Sequence, residues 1–93
     1  MNKNKIQDLV QRHLSVYVRR FMFYKYAFEC TIYMFSQGKL ELSVGVDREA
    51  RKLYYKLVLK DNEVIGVDYI IHESNTFDSL VELLADVRNR LIL

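Results

Sequence analysis

Catalysis needs a nucleophile beside a base, a poised acid and base, or a cluster of metal ligands, and the candidates in this sequence are few. His13 and His72 are its only histidines and Cys30 its only cysteine. The two imidazoles belong to different expected elements, and neither sits in an HxxxH or HExxH spacing that would gather metal ligands. His13 fits the apolar stripe of a helix as a core-edge residue, and His72 ends a strand beside Glu73 and Ser74. No serine stands in a GxSxG setting, and Gly38, Gly45 and Gly66 are too scattered to cradle a phosphate. Cys30 falls on an inward-facing strand position, where a thiol packs as a small apolar group. The expectation is a chain that is not an enzyme and uses no cofactor or metal.

The cations and aromatics have more to offer. Tyr33, Phe35, Tyr54, Val58 and Ile70 alternate onto the expected outer face of a sheet, interleaved with Lys52, Lys56 and Lys60. Such a face suits a protein interface, including one with a second copy of the chain. It also suits single-stranded nucleic acid, with bases stacked on the rings and phosphates on the lysines. Glu29, Glu41, Asp47 and Asp68 share that face and oppose the second use, because cross-strand lysine–acid pairs account for the charges equally well. Arg19 and Arg20 add a third candidate group: Arg20 projects toward the flank of the apolar stripe, where it could snorkel, end the helix or meet an anion.

These residues must be positioned by regular elements. Ninety-three residues, 51% of them hydrophobic, make a single domain (residues 1–93) with one modest core. Net charge is +2, unevenly spread: residues 1–40 hold seven Lys or Arg against two acids, and residues 41–93 hold seven against ten. The lone cysteine precludes an internal disulfide and fits a reducing cytoplasm. Residues 1–14 lack the unbroken apolar core of a signal peptide. The most apolar window, Phe21 to Phe35, is interrupted by Lys25 and Glu29 and is too short to span a membrane.

Ile6, Leu9, Val10, His13, Leu14, Tyr17, Val18 and Phe21 recur at helical spacing, predicting a long amphipathic helix from residue 4 to about 22. A strand over residues 15–23 fits less well, because the adjacent pair Arg19-Arg20 breaks period-two alternation. From about Ala27 the period changes to two. Phe28, Cys30, Ile32 and Met34 point one way on the first strand, opposite Glu29, Thr31, Tyr33 and Phe35. Ser36-Gln37-Gly38 makes a turn, with glycine available for positive φ. Leu40, Leu42, Val44 and Val46 line the inside of the second strand. Leu53, Tyr55, Leu57 and Leu59 do so on the third, and Ile65, Val67, Tyr69 and Ile71 on the fourth, with His72 outward. A C-terminal helix follows, capped by Thr76, Asp78 or Ser79, with Leu80, Leu83, Leu84, Val87 and Leu91 on one face. The predicted fold is α+β, a four-stranded antiparallel meander between two helices (α-β-β-β-β-α), with both helices mainly on the apolar face of the sheet. This layout is similar to the cystatin-like arrangement, a likeness that carries no function.

Residues 52–57 (KLYYKL), Asp61-Asn62, Tyr69-Ile70-Ile71 and residues 76–84 (TFDSLVELL) together resemble the later half of Src-homology phosphotyrosine-binding domains. The resemblance implies phosphopeptide recognition. That family uses an arginine within an early central strand, and residues 30–35 contain no basic residue, so Arg19 or Arg20 would have to serve. The shared feature is mostly hydrophobic pattern.

The functional expectation is a small cytoplasmic protein-binding module of the inhibitor, chaperone or adaptor type, of the kind carried by phages or mobile elements, acting as a homodimer and not at a membrane. Its apolar C-terminus, residues 90–93 (RLIL), is a further contact candidate. Candidate partner-binding residues are Arg19, Arg20, Tyr33, Phe35, Lys52, Tyr54 and Lys56. The alternatives are a nucleic-acid-binding module using Arg12, Arg19, Arg20, Lys52 and Lys56, and a phosphopeptide-binding domain.

Overall fold

A computed structural model describes residues 2–15, 18–62 and 66–91. The order of elements is α1 (Lys3–Leu14), β1 (Arg19–Phe23), β2 (Phe28–Phe35), β3 (Gly38–Asp47), β4 (Lys52–Asp61), β5 (Asp68–Glu73) and α2 (Leu80–Leu91). The strands form one antiparallel sheet in the order β1-β2-β3-β4-β5. The class is therefore α+β, with five strands rather than four. Neither helix is long and apolar enough to cross a membrane.

The fifth strand comes out of what the periodicity read as the end of the first helix. Asn2 caps α1 through its side chain, which accepts from the Asn4 N–H at 2.8 Å. The helix then stops at Ser15, which takes the left-handed conformation (φ 56) and donates its N–H to the Gln11 carbonyl. Glycine is the usual residue at such a stop, so a serine there leaves no mark in the sequence. Residues 19–23 then pair with β2. Tyr17, Val64, Ile65 and the C-terminal pair 92–93 lie outside the described residues.

The Arg19-Arg20 step that disturbs alternation is a β-bulge. Arg19 pairs with Thr31 and Met22 with Glu29, so Arg20 and Phe21 together oppose Cys30, and Arg20 sits at φ 54. An extra residue reverses the facing of everything beyond it. Here it swings Phe21 and Phe23 onto the helix side, where their rings lie 5.8 Å apart and both meet Phe28.

Two further bulges change faces that simple alternation assigned. In β2, Thr31 pairs with Glu41 but Tyr33 with Leu40, so Tyr33 and Phe35 turn to the helix side of the sheet rather than its outer face. In β5, His72 pairs with Leu57 but Ile70 with Val58. Ile71 is the inserted residue and lies exposed, whereas His72 turns inward against the Tyr55 ring at 5.6 Å. Gly38 is needed for close approach and not for positive φ: a Cβ there would overlap the Lys60 carbonyl oxygen.

β3 and β4 keep perfect register over ten pairs and form the spine. The core lies between the sheet's helix side (Phe28, Cys30, Leu42, Val44, Tyr55, Leu57) and the buried stripes of α1 (Val10, Leu14) and α2 (Leu80, Leu83, Leu84, Val87). Burial of each fully enclosed leucine contributes about 1.5–3 kcal/mol. Ser79, rather than Thr76 or Asp78, caps α2, its Oγ accepting from the Glu82 N–H at 3.2 Å. After β5 the chain stays beside β4, with Ser74 bonded to Tyr55 and Phe77 to Leu53 through backbone groups.

Candidate interaction surfaces

The outer face of the sheet is a self-satisfied charge network. Glu41, only 8% exposed, lies between Lys39 Nζ at 3.6 Å and Lys60 Nζ at 3.5 Å, and Lys60 also reaches Asp68 at 3.8 Å. Partial burial pulls the Lys60 ammonium down, but the carboxylates of Glu41 and Asp68 outweigh it and hold its pKa above the ordinary lysine value. Lys52 pairs with Asp78 at 3.4 Å and Lys56 with Glu73 at 4.0 Å. Tyr54 lies half-buried over Gly45, where a Cβ would come within 2.8 Å of its ring. Lysines engaged in this way have little free charge left for a phosphate chain.

The seven residues singled out from the sequence therefore do not form one patch. Arg19 and Arg20 are exposed on β1 at one edge, and Lys52, Tyr54 and Lys56 are on β4 with acids beside the lysines. Tyr33 and Phe35 are on the opposite side, at the far end of β2, with their rings 5.9 Å apart.

That far end carries a row of apolar side chains. Pairings run Tyr33 to Leu40, Leu40 to Leu59 and Leu59 to Tyr69, a row crossing four strands on the helix side. Leu40 and Leu59 are half-buried, whereas Tyr33 and Tyr69 are 62% and 46% exposed. Val67, Ile70 and Ile71 add exposed apolar surface at this edge of the sheet, each more than two-fifths exposed, with Ile70 on the outer face beside Val58. Among the described residues, β5 is an edge strand with β4 as its one neighbour. Of β5, sequence reasoning offered Ile70 alone as part of a contact surface, although the run Tyr69-Ile70-Ile71 carries the signal. Three apolar residues in succession cannot all face one core, so at least one is turned to solvent.

At the opposite end of the sheet, an apolar cavity of about 370 Å³ opens between β1, β2 and the beginnings of both helices. A second hollow of about 390 Å³ adjoins it through Tyr26 and is lined by Val46, Arg48 and Arg51.

The reactive groups are held away from solvent. Cys30 is 1% exposed, and burial, with the Glu41 charge assisting, pushes its thiol up to about 12. His72 Nε2 is buried without a hydrogen-bond partner among the described residues. Tyr55 is fully buried, donates its hydroxyl to Asp86 at 2.5 Å and accepts from Arg90 Nε at 3.1 Å. Among the described residues, no group of three His, Cys, Asp or Glu side chains is arranged to hold a metal ion. Comparison with protein-family models, with curated proteins and with solved structures finds no match to this chain.

Proposed function

We propose that the chain is a non-enzymatic protein-interaction module that pairs with a second copy of itself along β5. The observation that carries this reading is an edge strand whose neighbouring surface is apolar. Val67, Tyr69, Ile70 and Ile71 are all exposed beside backbone groups with no strand partner. Edge strands ordinarily carry lysines or other charges that discourage pairing. β1, the other edge, is short, bulged and basic, with Arg19 and Arg20 exposed. β5 has no cation, its two acids already serve Lys60 and Lys56, and its bulge presents Ile71.

A stable interface takes about 800 Å² from each partner, more than one six-residue edge provides. The exposed apolar side chains of the edge itself, Tyr69 on the helix side and Ile70 on the outer face, add surface on both sides of such a pairing. Antiparallel pairing of β5 with its copy is self-complementary across a two-fold axis and would join two five-stranded sheets. The nucleic-acid reading has less support, because Lys52, Lys56 and Lys60 are already paired with carboxylates.

Light scattering during size exclusion tests the proposal. The wild-type chain is expected to run as a dimer, and Ile71→Lys as a monomer that keeps the native circular-dichroism spectrum, since Ile71 is 55% exposed. A wild-type monomer at the highest attainable concentration would sink the idea.

A further inference from the structure

We propose that the cavity at the β1–β2 end of the sheet is a second binding site, for an acidic peptide segment bearing one aromatic or large aliphatic anchor residue. Its wall is apolar: Ile6, Phe23, Phe28, Val44, Leu53 and Leu80 line it. Its rim is cationic and aromatic, with Lys3, Tyr24, Lys25 and Tyr26. The adjoining hollow adds Arg48 and Arg51, and among the described residues no carboxylate lines either one. A pocket of this size, mostly apolar with a few polar groups at its mouth, is typical of ligand sites.

The charges at this end are left unanswered. Arg12, Lys39, Lys52, Lys56, Lys60 and Arg90 all hold carboxylates. Lys3, Lys25, Arg48 and Arg51 enter no ion pair among the described residues. Two of these cations crowd one ring: Lys25 Nζ is 5.4 Å and Arg48 Cζ 5.1 Å from the centre of Tyr26. Lys3 lies 5.7 Å from the centre of Phe23. The first turn of α1 adds Lys3 and Lys5 with no acid, against the preference of a helix start for negative charge. Cations set over rings with no carboxylate partner among the described residues fit a place where binding, rather than folding, set the residues.

The arrangement selects the partner's chemistry. Cations spread over two adjoining hollows suit several carboxylates along an extended segment, and the apolar cavity between them suits one uncharged side chain. A nucleic acid could place phosphates on the same cations. It would have to press the polar edge of a base against Phe28, Val44 and Leu80, which offer that edge no side-chain hydrogen bond. This site shares with β5 only the premise that the chain binds protein, and lies at the other end of the strands.

The test is an amide-resolved NMR titration with a blocked peptide of sequence DEDFEDE, at low and at raised salt. Shifts are expected at Tyr24, Tyr26, Phe28 and Leu80, with affinity falling as salt rises. Replacing the anchor (DEDSEDE) should weaken binding at least about tenfold. The chain variant Lys25→Glu with Arg48→Glu should lose a similar factor while keeping the native spectrum, because both side chains are on the surface. Lys56→Glu should bind as wild type does, and so should Ile71→Lys, which separates this site from self-association. No shift at low salt, equal affinity for the two peptides, or tighter binding of an oligothymidylate at the same residues would each overturn the proposal.

Discussion

Replacing Tyr55 by phenylalanine tests how the sheet holds α2. The Tyr55 ring is fully buried between His72 and Phe77, 5.6 and 6.1 Å away, and its hydroxyl is the polar link between β4 and α2. Tyr55→Phe keeps the ring and removes a bond donated to a carboxylate and one accepted from a guanidinium. Hydrogen bonds to charged groups contribute about 1.5–3 kcal/mol each. Asp86 is one-third exposed and keeps Arg90 at 3.5 Å, so it is not orphaned. The net loss at neutral pH is then about 1–2 kcal/mol, or roughly 5–15 °C in melting temperature for a chain of this length.

The pH dependence makes the test sharper. Burial, then the hydrogen bond to Asp86, raise the Tyr55 pKa from 10.0 to about 12, with Arg90 opposing. A phenol whose pKa is raised by folding contributes stability fully present below its unfolded value and lost as pH climbs through its folded value. A two-unit rise corresponds to roughly 3 kcal/mol. Because that loss exceeds the advantage at neutral pH, the wild-type stability curve should meet that of Tyr55→Phe between pH 10 and 12 and fall below it by pH 12. Because Lys60 and Cys30 titrate in both chains, the difference between the curves isolates Tyr55. Thermal melts followed by circular dichroism at stepped pH give the readout. Equal melting temperatures at neutral pH, or a gap that stays constant up to pH 12, would refute the reasoning.

Two further expectations follow from close packing. Gly38→Ala places a methyl group against the Lys60 carbonyl, which is backbone and cannot swing aside, so a loss of about 1–3 kcal/mol is expected in chemical denaturation. An unchanged midpoint would show that the β2–β3 hairpin gives more easily than its geometry implies. Cys30, buried and raised to about 12, should ignore a thiol reagent in the native chain and react at once in denaturant. Rapid labelling of the native chain would contradict its placement under α1 and α2.

Much of the fold was legible because most of the chain obeys one period at a time. Leu42 and Val44, like Tyr55 and Leu57, alternate without interruption and occupy the buried face that alternation assigns them. Leu80, Leu83, Leu84 and Val87 likewise fall on the buried stripe of α2. The candidate contact residues were less legible. Tyr33 and Phe35 are exposed but lie on the other face from the one alternation assigned, and Tyr69 and Ile71 of β5 were assigned inward although both are exposed. The cationic rim was also unreadable, because Lys3, Lys25, Arg48 and Arg51 come from three separate segments that only folding brings to one end.

Local order along the chain determined that this protein is α+β and which residues of β3, β4 and α2 build its core. Those properties depend on the spacing of side chains within a segment, which is written in the segment itself. The tertiary structure decided where α1 ends, that residues 19–23 are a strand, and which way Phe21, Tyr33, Phe35 and His72 face. Each of those facings turns on one inserted residue opposite a partner strand. The facing of a strand residue is a parity, and that parity is set by hydrogen bonding to a neighbour that local spacing does not identify.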